Sequence, residues 1–125
     1  MDKKIMVVDD EPDQILTIKL ILEDLNNEYK VIGAEGGKKC LELLKNNQIP
    51  DLIFLDIMMP DMNGWDLAAE IKKNQNWNKI PIVFLTAKSD PFSKTFGNIV
   101  SNDYITKPYE RKELKEVIEK ILDEY

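Results

Sequence analysis

The sequence predicts an α/β fold: an open, doubly wound parallel sheet of five strands with helices on both faces. Two observations lead there. Short β-rich apolar runs alternate with segments of helical periodicity along the whole chain. The alternation occurs five times, too few for a closed barrel of eight such units, and parallel neighbours joined by right-handed crossovers place helices on both faces.

The elements follow in order. Lys4-Ile5-Met6-Val7-Val8 is an apolar run of strand length ending at Asp9-Asp10-Glu11. Pro12 suits a first helical turn. From it Ile15, Ile18, Leu22 and Leu25 mark one face, with Leu16, Leu20 and Ile21 broadening it, and Asn26-Asn27 closes the helix. Tyr29 to Ala34 reads as the second strand. Gly36-Gly37 punctuates before a helix carrying Cys40, Leu41, Leu43 and Leu44. Pro50-Asp51 opens the third strand, Leu52-Ile53-Phe54-Leu55, which stops at Asp56. Pro60 and Gly64 make the next segment a loop. Asn63 is an N-cap for a helix whose inner face holds Leu67, Ala68 and Ile71. Ile80 to Leu85 is the fourth strand, with Pro81 near its start. Asp90-Pro91 caps a helix with Phe92, Phe96, Ile99 and Val100 inward, weakened at Gly97. Asp103 to Thr106 is a short fifth strand. Leu114, Val117, Ile118, Ile121 and Leu122 stripe the last helix.

Composition bounds the function. The 125 residues fit one domain, and 43% hydrophobic with 32% charged residues is ordinary for a folded globular chain. A net charge of -6 opposes non-specific binding to nucleic acid, and the apolar runs are too short to span a bilayer or to form a secretory signal. There is no histidine, and the single cysteine, Cys40, reads as a half-buried packing residue among leucines. A cytoplasmic protein is expected.

In open α/β sheets the ligand site lies beyond the carboxyl ends of the strands. That edge collects Asp9 and Asp10 after the first strand, Asp56 after the third, Thr86 at the end of the fourth and Lys107 after the fifth. Each has a plainer reading alone: turn residue, strand end or loop lysine. Together, three carboxylates in one crevice call for a cation, and an all-oxygen donor set calls for Mg²⁺, with Mn²⁺ as a substitute. A hydroxyl and an ammonium beside them suit the remaining oxygens of a phosphoryl group, so the set holds the parts for phosphoryl transfer to aspartate.

The segments Ile5-Met6-Val7-Val8-Asp9-Asp10-Glu11, Asp51-Leu52-Ile53-Phe54-Leu55-Asp56-Ile57-Met58-Met59-Pro60-Asp61-Met62-Asn63-Gly64, Leu85-Thr86-Ala87 and Tyr104-Ile105-Thr106-Lys107-Pro108 resemble the receiver domains of two-component response regulators. The resemblance covers essentially the whole chain. It implies a flavodoxin-like (CheY-like) strand order 2-1-3-4-5 and one receiver domain over residues 1–125 with no output domain in this chain. It makes Asp56 the phosphoacceptor, and Asp9, Asp10, Asp56 and the backbone carbonyl of Met58 the metal site. Thr86 and Lys107 then bind the phosphoryl group, Thr86 and Tyr104 form the switch, and a cis bond precedes Pro108. The implied donor is a sensor histidine kinase or a histidine phosphotransfer protein, and the implied output an unidentified protein target, without direct contact to nucleic acid or membrane. The chain would then catalyse only its own phosphorylation and slow autodephosphorylation, whose rate the family tunes at positions matching Met58 and Lys88.

Two other functions compete. A magnesium-dependent aspartyl-phosphate phosphohydrolase needs a second acid two residues after the nucleophile, where this chain has Met58. A non-phosphorylated receiver-like binding module would have lost one of the five residues. A flavin-binding flavodoxin is a weaker rival still, because the first loop is acidic and carries no phosphate-cradling glycines or hydroxyl cluster. One departure from the family is Val100-Ser101-Asn102-Asp103-Tyr104, in place of a glycine-small-acid-acid-tyrosine run. Dimerisation through the fourth helix, fifth strand and fifth helix is therefore not carried over.

Overall fold

The structure, a computed structural model, describes residues 2–87 and 103–123. Side chains at 86, 87, 103 and 123 fall outside that description, as does the whole of the helix expected from Asp90-Pro91 through Val100. Five strands form one parallel sheet: β1 (Lys3–Asp9), β2 (Tyr29–Glu35), β3 (Leu52–Asp56), β4 (Ile82–Ala87) and β5 (Asp103–Lys107), in the order β2-β1-β3-β4-β5. Helices α1 (Pro12–Leu25), α2 (Gly37–Lys45), α3 (Gly64–Lys73) and α4 (Arg111–Ile118) occupy the crossovers and the C-terminal end.

The alternation of side chains along each strand divides the core into two layers. Met6, Val8, Ile53, Leu55, Ile82 and Phe84 pack with Cys40 and Leu44 of α2 and with Leu67, Ala68 and Ile71 of α3. Ile5, Val7, Leu52, Phe54, Val83, Leu85 and Ile105 face the other way, onto Ile18 and Leu22 of α1 and Leu114 and Ile118 of α4. β3 is buried along its whole length, so the strand carrying Asp56 is held from both sides.

Local chemistry explains the helix starts. Pro12 stands in the first turn of α1. Asn63 Oδ1 accepts from the Asp66 amide at 2.9 Å and caps α3. The Glu110 amide donates to Glu113 Oε1 at 3.2 Å at the start of α4.

Three readings of the sequence need correction. Leu16 and Leu20 do not broaden the buried face of α1; they are 52% and 61% exposed. Cys40 is fully buried, not half-buried. The last helix is α-helical only to Ile118 and continues as a π-helical turn, Glu119–Asp123, keeping Ile121 and Leu122 buried. Over a single turn, apolar spacing does not separate i→i−4 from i→i−5 bonding.

Candidate functional site

The parallel sheet carries the C-terminal ends of β1, β3, β4 and β5 to one edge, and the acids of the sequence motif arrive there together. One oxygen each from Asp9, Asp10 and Asp56 lies within 4.8 Å of the others. Asp9 and Asp56 are buried, at 1% and 7% exposure, while Asp10 is more open to solvent. Lys107, the last residue of β5, places Nζ 3.3 Å from Asp56 Oδ1 and 3.7 Å from Asp9 Oδ2. The Lys107–Pro108 peptide is cis, as the resemblance implies.

These charges are held against their solvation. Burial raises the carboxyl of Asp9 above the ordinary range, the Glu11 amide at 3.0 Å pulls it back, and the neighbouring Asp56 charge pushes it up again. Asp56 is raised first by burial, against the attraction and hydrogen bond of Lys107, with Asp10 adding repulsion and the Met58 amide opposing it. Asp9 Oδ1 is satisfied by the Glu11 amide, but Asp9 Oδ2 is buried without a hydrogen-bond partner, since Lys107 stands beyond hydrogen-bond length. A buried, unpartnered carboxylate oxygen facing two further acids fits a small divalent cation taking hard oxygen donors.

Thr86 pairs in register with Thr106, which places its backbone at the same sheet edge; its side chain lies outside the described residues. Tyr104 pairs with Phe84 and packs, half-buried, against the α2–α3 core layer. Met58 is two residues beyond Asp56 with its side chain 71% exposed. Lys88 lies outside the described residues.

Three features of the surroundings escape the sequence reading. Gly64 packs so closely under β3 that a Cβ there would stand 2.6 Å from the Asp56 carbonyl oxygen and 2.8 Å from Ile57 Cα. Its amide donates to the Ile57 carbonyl at 2.8 Å, closing the loop that follows Asp56. Tyr109 joins the site's rim: its hydroxyl reaches Gln14 of α1 at 3.4 Å, and burial and then the Asp9 charge raise its phenol. Asp61, in the same loop as Met58, turns its carboxylate onto the first turn of α2. The sequence offers a signal for Gly64, a glycine at a helix start, but none for contacts between segments so far apart in the chain.

Comparison with known proteins points one way. The family model described as "Response regulator receiver domain" matches residues 5–119. The alkaline phosphatase synthesis transcriptional regulatory protein PhoP of Bacillus subtilis is 35% identical over 123 residues, 98% of this chain and 49% of that protein. A CheY-like response regulator receiver domain protein of Methanospirillum hungatei superposes with a TM-score of 0.77 at 38% identity, covering 91% of this chain and 89% of the other. The receiver domain of a sensor histidine kinase from Pseudomonas aeruginosa, solved with a magnesium ion in its active-site cleft, gives a TM-score of 0.85 at 26% identity, covering 98% and 99%. The chain spans 23% to 49% of the length of the first three curated relatives it matches.

Proposed function

Because this chain belongs to the response-regulator receiver family, we propose that it takes a phosphoryl group from the phosphohistidine of a sensor histidine kinase or histidine phosphotransfer protein onto Asp56. The observation that carries this assignment is the position of Asp56: buried, adjoining two further carboxylates, and 3.3 Å from Lys107 Nζ. The attacking Asp56 oxygen forms the new P–O bond as the P–N bond to the donor imidazole breaks, and the imidazole leaves with a proton drawn from solvent.

Asp9, Asp10, Asp56 and the Met58 carbonyl are the groups that would hold Mg²⁺, with Mn²⁺ as a substitute. Bound there, the ion would offset the carboxylate charge and supply positive charge to the incoming phosphoryl group. Lys107 supplies a point charge to a second phosphoryl oxygen, and Thr86 a hydroxyl to a third. The added charge draws Thr86 inward, and Tyr104 follows into the space vacated, which alters the surface offered to a protein target. Residues 1–125 act as a single receiver module whose own chemistry is limited to its phosphorylation and slow autodephosphorylation. The position of a hydrolase's second acid holds Met58, which moves no proton. No helix among the described residues is long and apolar enough to cross a membrane. A cytoplasmic setting without direct nucleic-acid contact accords with the net charge of -6.

Acetyl phosphate supplied with MgCl₂ should add one phosphoryl group to the parent protein by intact mass and none to Asp56→Asn. Equal labelling of both would end the assignment.

A further inference from the structure

The loop between β3 and α3 carries Met58, and something must hold it beside Asp9 and Asp56. Pro60 denies it regular structure, and Met58 itself is too exposed to anchor it. Buried Ile57 and Met59 pin the start of the loop to the core, and Asp61 adds a polar tie further along. Its Oδ2 accepts from the Lys38 amide at 3.1 Å and its Oδ1 from the Gly37 amide at 3.3 Å, both free donors in the first turn of α2. These two bonds, from Lys38 first, hold the Asp61 carboxyl below its ordinary range.

The receiving turn is shaped for this contact. Gly36 has φ +98°, a conformation costly for any residue with a side chain, and a Cβ there would lie 2.9 Å from Asp61 Oδ2. A Cβ on Gly37 would press within 3.0 Å of Met62 Cβ. The Gly36 amide in turn donates to the backbone carbonyl of Asp9 at 3.2 Å. One short turn therefore ties the end of β1, with Asp9, to the loop that carries Met58.

We infer that Asp61 is a positioning residue for the acidic site. Through the first turn of α2 it fixes the β3–α3 loop against β1 and so sets the spacing at which the oxygens of Asp9, Asp56 and Met58 meet a divalent cation. The inference rests on the metal site proposed above and concerns how that site is held. Coupling of this kind is reciprocal: a loop that helps to hold the ion must itself be held more firmly when the ion binds.

The test uses MgCl₂ alone, followed by isothermal titration, with amide hydrogen exchange at Gly37 and Lys38 as the second readout. The expected result for Asp61→Ala is a magnesium affinity lower by about tenfold, as is usual when a group orienting a metal ligand is removed. In the parent protein, saturating magnesium should slow exchange at the Gly37 and Lys38 amides, and in Asp61→Ala this slowing should vanish. Gly36→Ala, which crowds the same contact from the other side, should weaken magnesium in the same direction, and Asp61→Glu should recover part of the loss. A folded Asp61→Ala that binds magnesium as the parent does overturns the inference and leaves the metal site standing. A parent protein that binds no magnesium overturns both.

Discussion

Asp56→Asn should make the metal-free protein more stable, and the structure sets the size of the gain. Ionised Asp56 faces two carboxylates with oxygens no more than 4.8 Å away and one ammonium at 3.3 Å. At an effective dielectric of about 20, each carboxylate repels it by roughly 3.5 kcal/mol and Lys107 attracts it by about 5 kcal/mol. The balance is about 2 kcal/mol against the charge before any cost of burial. Solvent reaches Asp10 and Lys107 and screens part of this, so a measured gain of about 1–2 kcal/mol is expected. The asparagine amide keeps the shape of the carboxylate and its oxygen still accepts from Lys107. For a domain of this size the gain is a rise in Tm of about 4–8 °C, read by circular dichroism in EDTA.

The pH dependence has a definite sign. The carboxyl of Asp56 is raised in the folded state, so the native protein binds protons more readily than the unfolded chain, and its stability falls as pH rises through that raised value. The difference between variant and parent should therefore narrow as pH is lowered from about 7 towards about 4, where the unfolded carboxyl also takes up its proton. A variant that melts at or below the parent at neutral pH would refute the electrostatic reasoning.

Two further outcomes follow from single side chains. Cys40 is fully buried and its thiol is pushed up to about 12, so the native protein should resist thiol reagents and react only in denaturant; stoichiometric modification of the native protein would contradict the packing. Met58 cannot orient an attacking water, so Met58→Asn combined with Lys88→Glu should shorten the life of the phosphorylated state by about tenfold, followed as loss of acid-labile phosphate without a kinase; an unchanged rate would show that these side chains do not govern water's approach.

The layering of the fold was legible because strand and helix periods differ. Ile53, Phe54 and Leu55 form a run buried on both faces, and Pro12 and Asn63 start helices where their backbone chemistry requires. The acids and Lys107 were legible because a parallel sheet sends every strand end to the same edge. What stayed hidden depends on the third dimension. Leu16 and Leu20 have the side chains of a buried face yet point outward, because Ile18 and Leu22 already fill the surface α1 presents to the sheet. Asp61 reads as a loop acid, and its contact with α2 joins residues 23 and 24 positions apart. The steric ceiling at Gly64 likewise exists only once the loop has closed under β3.

The central claim is that the phosphoryl group rests on Asp56, and borohydride reduction tests it at the residue itself. An aspartyl phosphate is an acyl phosphate, which sodium borohydride reduces to the alcohol, leaving homoserine at the modified position and free carboxylates untouched. Treating the protein with acetyl phosphate and MgCl₂, reducing it, and sequencing its peptides by mass spectrometry should find Asp56 converted to homoserine, with no conversion when EDTA replaces magnesium. Conversion of Asp9 or Asp10, with Asp56 unchanged, would contradict the account.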